Sequence, residues 1–252
     1  MDPYRDDFYQ VPELYELEYA DYLDDLEFYG RLARRAGRVI ELGAGTGRVT
    51  QAMAERGAEV IAIDASRPML ARLRANLRRL GLLGRVTPMA RDFKDLSDLA
   101  KVPLVVLPFN GLHHVYTASA LLQLSVAIQG VLEPGGHFVT DLVIPDPRFF
   151  HQDEDGVFEV RFFKDPDGGR MKTWENGFYD PITQLNTVRY HYRRASGRYQ
   201  VVTVPLRMYY PQEIMGLLEL AGWIIESADS DFDGEPLHKG ATRLVLTLRK
   251  PS

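Results

Sequence analysis

Val39-Ile-Glu-Leu-Gly-Ala-Gly-Thr-Gly47 is the stretch on which the reading of this chain turns. An apolar run of strand character enters three glycines at alternate positions. Residues Arg48–Arg56 then carry apolar side chains at helical spacing. Glycine tolerates positive φ and lets backbone approach a ligand closely. The helix start beyond it offers unpaired N–H groups to a polar or anionic ligand. The dinucleotide fingerprint G-x-G-x-x-G does not fit, because the glycines are 43, 45 and 47 and position 48 is Arg. A P-loop would need Lys and then Ser or Thr after the last glycine, where this chain has Arg48-Val49.

Outward from this loop, Arg38–Leu42, Glu59–Ile63, Arg85–Met89, Leu104–Phe109 and His137–Ile144 read as buried strands. Arg48–Arg56, Arg67–Leu80 and Thr117–Leu132 read as the helices between them. That alternation predicts a parallel α/β sheet. Pro12–Ala36, before it, reads as one or two helices carrying tyrosines. After Ile144 the pattern changes: prolines and glycines punctuate strand-like runs at Val157–Lys164, Arg170–Phe178, Gln184–Arg194 and Arg198–Arg207. Turns are expected at Tyr179-Asp-Pro181 and Ala195-Ser-Gly197. A helix at Pro211–Ala221 and strands at Trp223–Glu226 and Ala241–Arg249 close the chain. The expected organisation is a single domain over 1–252: a helical cap (1–37), a core (38–144 and 208–252) and an inserted β lid (145–207).

Glu41 followed by Gly43-Ala44-Gly45-Thr46-Gly47 resembles the first motif of class I S-adenosylmethionine-dependent methyltransferases. The resemblance extends over roughly 38–144 and the last two strands. Asp64 ends the second strand, where the family places a carboxylate on the ribose hydroxyls. Arg91-Asp92-Phe93 follows the third, where an acid commonly meets the adenine amine. Pro108-Phe109-Asn110 ends the fourth, beside the sulfonium. Leu132–Gly136 resembles the turn before the fifth. The resemblance implies a doubly wound α/β sheet of seven strands, order 3-2-1-4-5-7-6 with the last antiparallel, and a small antiparallel β insertion. It implies S-adenosyl-L-methionine as cofactor and S-adenosyl-L-homocysteine as product. Small-molecule enzymes of this family carry a similar insertion. The expected cofactor contacts are Glu41, Gly43, Ala44, Gly45, Gly47, Arg48, Asp64, Ala65, Met69, Asp92, Phe93, Pro108, Phe109 and Asn110. Ser66, with Pro68 near the first turn, is the better helix cap, which leaves Asp64 for ligand. Tyr15 and Tyr19, four apart on one helix face, join them: such a helix often closes over the cofactor in resembling enzymes.

Methyl transfer is an in-line displacement in which positioning does most of the work. A base matters only where the acceptor arrives protonated. His113 and His114, after the fourth strand, are the candidates for that role. Trp174, His191 and Tyr209 are candidate acceptor contacts, and Asp141 is a further polar residue in the fifth strand. The expected reaction is methyl transfer to nitrogen or oxygen of a small-molecule acceptor. The alternatives are a cofactor-binding module without transfer, or an enzyme acting on RNA or protein.

Composition bounds the rest. The chain has 252 residues, no Cys and a formal charge of −5. Without Cys there is no thiolate metal site, disulfide or Cys nucleophile, and no metal is expected. The acidic balance argues against a nucleic-acid partner. No apolar run suits a membrane span, and the acidic, aromatic start Met1–Gln10 is not a signal peptide. A soluble cytoplasmic chain is expected, with a homodimer left open. The acidic tract Asp229–Glu235 is expected to be a surface loop.

Overall fold

The computed structural model describes residues 6–146, 156–157, 159–165 and 167–251. Two helices, α1 (Pro12–Tyr19) and α2 (Leu26–Ala36), precede the first strand. The core then alternates β1 (Arg38–Leu42), α3 (Arg48–Glu55), β2 (Glu59–Asp64), α4 (Arg67–Leu80), β3 (Val86–Ala90), β4 (Val102–Leu107), α5 (Ala118–Val131) and β5 (Leu132–Val143). Four further strands follow: β6 (Glu159–Lys164), β7 (Arg170–Asp180), β8 (Leu185–Arg193) and β9 (Tyr199–Arg207). Helix α6 (Pro211–Leu220), β10 (Ile224–Asp229) and β11 (Arg243–Arg249) complete the chain.

The larger sheet has seven strands in the order β3-β2-β1-β4-β5-β11-β10. Strands β1 to β5 pair in parallel, while β11 runs antiparallel to both β5 and β10. This is the expected sheet order, and β6 to β9 form the expected separate antiparallel sheet. The parallel strands are apolar on both faces because each face is covered by helices. One buried cluster joins β4, β5 and β11 to α5 and α6; a second joins β1 and β2 to α2, α3 and α4. A third, containing Phe8, Leu14, Met171, Tyr192, Val202 and Val204, sits between the N-terminal segment and the inner face of the small sheet.

Helix starts follow side-chain chemistry. Ser66 Oγ accepts the Met69 N–H at 3.2 Å and starts α4, and Thr117 Oγ1 accepts the Ala120 N–H at 3.1 Å to start α5. Some boundaries differ from the sequence expectation. Strand β4 ends at Leu107, and Pro108 to Asn110 leave the sheet. Strand β7 continues through Tyr179 and Asp180, so its hairpin turns over 181–184, with Gln184 at φ 57°. The turn at 195–197 stands, with the Arg194 N–H donating to the Arg198 carbonyl. Phe158, in the first expected strand of the insertion, lies outside the described residues. Among the described residues no helix is long and apolar enough to cross a membrane.

Candidate functional site

The glycine loop leaves β1 with Gly43, Gly45 and Gly47 all at positive φ, 68°, 57° and 94°. A Cβ on Gly45 would project into open space and meet only the Tyr15 ring, 3.9 Å away. A Cβ on Gly47 would strike Leu73 at 2.9 Å, so that glycine serves the packing of the loop on α4. Asp64, at the end of β2, closes the loop from the side. Its Oδ2 accepts the Gly45 N–H at 2.8 Å and its Oδ1 the Ser66 N–H at 2.7 Å. Burial pushes its carboxyl up from the usual range, and those two N–H groups oppose the shift.

These groups border a cavity of about 400 Å³ at the C-terminal ends of the parallel strands. Of the residues expected at the cofactor, Tyr15, Gly43, Gly45, Asp64, Ala65 and Asp92 line it. Phe93, Pro108 and Phe109 line it too, as does His114. The others support it or stand elsewhere. Glu41 is buried, accepts the Thr50 hydroxyl and ties β1 to α3. Burial pushes its carboxyl up to about 8, against Thr50 and Arg48. Ala44 donates its N–H to the Ile63 carbonyl at 2.9 Å. Met69 is fully buried in the core. Arg48 forms a two-pronged ion pair with the buried Asp25, and its guanidinium lies over the Tyr22 and Phe109 rings at 5.0 and 4.9 Å. That pairing holds Arg48 against α2 and the Phe109 ring, outside the cavity lining.

Phe109 and Asn110 adopt positive φ, 52° and 64°, without being glycine. Such strain persists only where surrounding contacts over-determine it. Asp141, fully buried in β5, supplies them. Its Oδ1 accepts the Phe109 N–H at 2.8 Å and the Tyr29 hydroxyl at 2.7 Å, and its Oδ2 pairs with Arg243 at 2.8 Å. The Asn110 N–H donates to the Asp141 carbonyl, and Asn110 Oδ1 accepts the Val143 N–H. Asp141 is therefore a positioning residue beneath the turn. Burial pushes its carboxyl up, and the Arg243 charge, the Tyr29 hydroxyl and the Phe109 N–H oppose this.

A second cavity, of about 350 Å³, lies between this turn and the small sheet. Tyr19, Asn110 and His113 line it. Trp174 and His191 line neither cavity. Side chains alternate along a strand, which puts Trp174 on the face of β7 opposite Glu175. There it stacks on His191, with ring centroids 5.0 Å apart, and His191 stacks on Tyr199. Tyr209 is buried in the larger core and donates its hydroxyl to the Val115 carbonyl.

The two histidines differ in setting. His114 Nε2 is 2.8 Å from the Tyr9 hydroxyl, and Nδ1 is 3.9 Å from Asp6 Oδ2. Burial pushes His114 down to about 4, with His113 adding to the shift, and pushes Asp6 up to about 7. Asp6 and Tyr9 also line the first cavity. The sequence reading passed over both; aromatic residues within an acidic start were the available signal. Their segment is pinned by Ser66 Oγ donating to the Tyr9 carbonyl at 2.6 Å and by the Asp7 N–H donating to the Thr203 carbonyl at 3.1 Å.

His113 Nδ1 lies 2.5 Å from the Arg207 carbonyl. A carbonyl only accepts, so Nδ1 carries the proton and Nε2 of the neutral ring is a lone pair. Nε2 is buried and has no hydrogen-bond partner among the described residues. Burial pushes His113 down to about 4, against the Arg207 and Val143 carbonyls. The unfolded imidazole takes its proton near 6.5 and the folded one only near 4. Acid therefore favours unfolding between those values, and the stability present above 6.5 is lost as pH falls through the window. We expect this residue to contribute up to ~3 kcal/mol of that loss. His113→Asn, which keeps an N–H for Arg207, should flatten the decline. Equal pH slopes in urea titrations of the two proteins would refute this.

The profile of a family described as "Methyltransferase domain" matches residues 39–136. The uncharacterized methyltransferase Rv3342 of Mycobacterium tuberculosis is 36% identical over 106 residues, which cover 42% of this chain and 39% of that protein. The cypemycin N-terminal methyltransferase of a Streptomyces species is 35% identical over 107 residues, 42% of each chain. The chain thus spans about half or less of the length of the curated relatives it matches. Among solved structures, the CcbJ methyltransferase of Streptomyces caelestis superposes with a TM-score of 0.79 at 24% identity, covering 94% of this chain and 96% of that one. The sugar N-methyltransferase KedS8 of Streptoalloteichus sp. superposes at 0.75 with 15% identity, covering 98% and 94%. The matched segment contains the glycine loop, Asp64 and Asp92, and the solved structures share the fold from end to end. On these grounds residues 39–136 resemble a methyltransferase domain, and the chain as a whole has the fold of these solved methyltransferases, with an added antiparallel sheet.

Proposed function

We propose that this protein transfers a methyl group from S-adenosylmethionine to nitrogen or oxygen of a small-molecule acceptor. The observation that carries this reading is a pair of cavities bordered by the same two elements. The turn after β4 gives Phe109 and His114 to the first and Asn110 and His113 to the second; α1 gives Tyr15 to the first and Tyr19 to the second. Neighbouring donor and acceptor sites suit a direct displacement, in which the reacting atoms must meet in line with no side chain between them.

The residues present fit the cofactor. The open space above Gly45 accepts its amino-acid portion, the Asp64 carboxylate suits two ribose hydroxyls, and Asp92 with Phe93 lies where the adenine would rest. Bound there, S-adenosylmethionine supplies a methyl group activated by positive sulfur. The aromatic rings of Tyr15 and Phe109 suit a neighbouring cation. The pinned segment around Tyr9 and the sheet β6–β9, read as a lid over 145–207, exclude water from the reaction. A cavity of about 350 Å³ favours a small acceptor over RNA or protein. The test is release of S-adenosylhomocysteine across libraries of amines, phenols and carboxylates, with cofactor affinity measured in parallel. Product is expected with one library. Tight cofactor binding with no release from any of them would leave a binding module instead.

A further inference from the structure

The second cavity carries an excess of acceptors. Its described lining includes the carboxylates Asp146 and Glu175 and no lysine or arginine. Glu175 faces it from β7, in register with Tyr190 of β8, which lines the same space. Among the described residues no hydrogen bond reaches the Glu175 carboxylate. The one guanidinium that offsets its charge, Arg161, is already ion-paired to the buried Glu18 and lies 3.6 Å from Glu159. Among the described residues, three carboxylates thus share a single cation. Burial pushes the Glu175 carboxyl up; Arg161 opposes this, and Glu159 and Glu18 add to it.

A second, independent observation points into the same space. His113, 1% exposed, lines this cavity, and its buried Nε2 has no hydrogen-bond partner among the described residues. A buried acceptor without a donor is costly unless a ligand completes it. The missing group is therefore cationic and rich in N–H donors. A hydroxyl, with one proton to give, would leave Glu175 without a counter-charge. The Tyr19 and Tyr190 rings suit a cation as well.

We propose that the second cavity binds a protonated amine, held by the Glu175 carboxylate and by an N–H bond to His113 Nε2. This rests on the reading of that cavity as the acceptor site and narrows the acceptor to an amine. Glu175 can also take the ammonium's proton, which leaves a neutral amine with a free lone pair and a neutral carboxyl. Gly177, two residues on along the same strand face, keeps the floor open: a Cβ there would lie 3.2 Å from Asn186 Oδ1.

The experiment titrates matched pairs into the protein by calorimetry, alone and saturated with S-adenosylhomocysteine. The pairs are cyclohexylamine and cyclohexanol, benzylamine and benzyl alcohol, and 2-amino-2-deoxyhexoses with their parent hexoses. At least one amine is expected to bind about tenfold or more tightly than its alcohol, the scale of a hydrogen bond to a charged group. Glu175→Gln, nearly identical in shape, should erase that preference and leave S-adenosylhomocysteine affinity unchanged. Glu159→Gln, which alters an exposed neighbour of the same charge, should leave the preference intact. If no amine binds, if alcohols bind equally well, or if Glu175→Gln retains the preference, the inference is overturned. Turnover separates the two readings. Amine binding through Glu175 without methylated product would sink methyl transfer and keep the amine site. Methylated alcohols without amine binding would do the reverse.

Discussion

Asp141→Ala is expected to lower the free energy of unfolding by ~3–5 kcal/mol, the scale of breaking a buried ion pair from one side. Three donors would lose their acceptor together: the Arg243 guanidinium, the Tyr29 hydroxyl and the Phe109 N–H. Domains are commonly stable by only about 5–15 kcal/mol, so the loss would consume much of what holds the fold. Urea titration should show a lower midpoint with the slope unchanged. Asp141→Asn keeps one acceptor oxygen for Tyr29 or Phe109 and should fall between the two. The substitution should also release the turn at Phe109 and Asn110 from positive φ, so any folded Asp141→Ala protein should bind cofactor more weakly. A midpoint within experimental error of wild type would show that Arg243 and Tyr29 find other partners.

Asp64→Ala should weaken S-adenosylmethionine binding by ~1.5–3 kcal/mol, about ten- to 150-fold. The wild-type carboxylate spends one lone pair on each of two backbone N–H groups, at Gly45 and Ser66. The remaining lone pairs are available to a diol. The alanine variant removes the diol's acceptors and also leaves the Gly45 N–H unmet, so the loop loses definition. Gly45→Val attacks the same site differently. It demands a branched side chain at φ 57° and fills the space in front of Tyr15. It should abolish binding in a folded protein. Calorimetry with S-adenosylhomocysteine checks both; unchanged affinity in Asp64→Ala would remove that residue from the ribose site.

The parallel sheet was legible because strands covered on both faces are apolar without interruption, as Val39–Leu42 and Leu104–Leu107 are. The loop between β1 and α3 was legible because alternating glycines have few other uses. Where the reading stopped, the missing information was long-range. Leu104–Phe109 reads as one strand. Asp141, 32 residues beyond Phe109, helps hold the chain out of the sheet there. Arg48 reads as a free cation beside a ligand loop, and its buried partner Asp25 precedes it by 23 residues. The parity of the inserted strands could not be fixed, because β7 and β8 carry aromatic or polar residues at both even and odd positions. The odd positions of β7 turned out to face the cavity, so Glu175 is there and Trp174 is not. Asp6 and Tyr9 reach the first cavity because their segment folds back onto Ser66 and Thr203.

The chain has two tryptophans, and the fold deals one to each of its sheets. Trp223 is buried in the large core, its ring 5.5 Å from that of Phe138. Trp174 sits on the outer face of the small sheet, stacked in parallel on His191. Their emission spectra therefore report on different bodies: an apolar interior for one, a half-exposed ring beside a titrating imidazole for the other. With Trp174→Phe and Trp223→Phe as single-reporter proteins, optical spectroscopy can follow loosening of the inserted sheet separately from melting of the core, without attaching any dye.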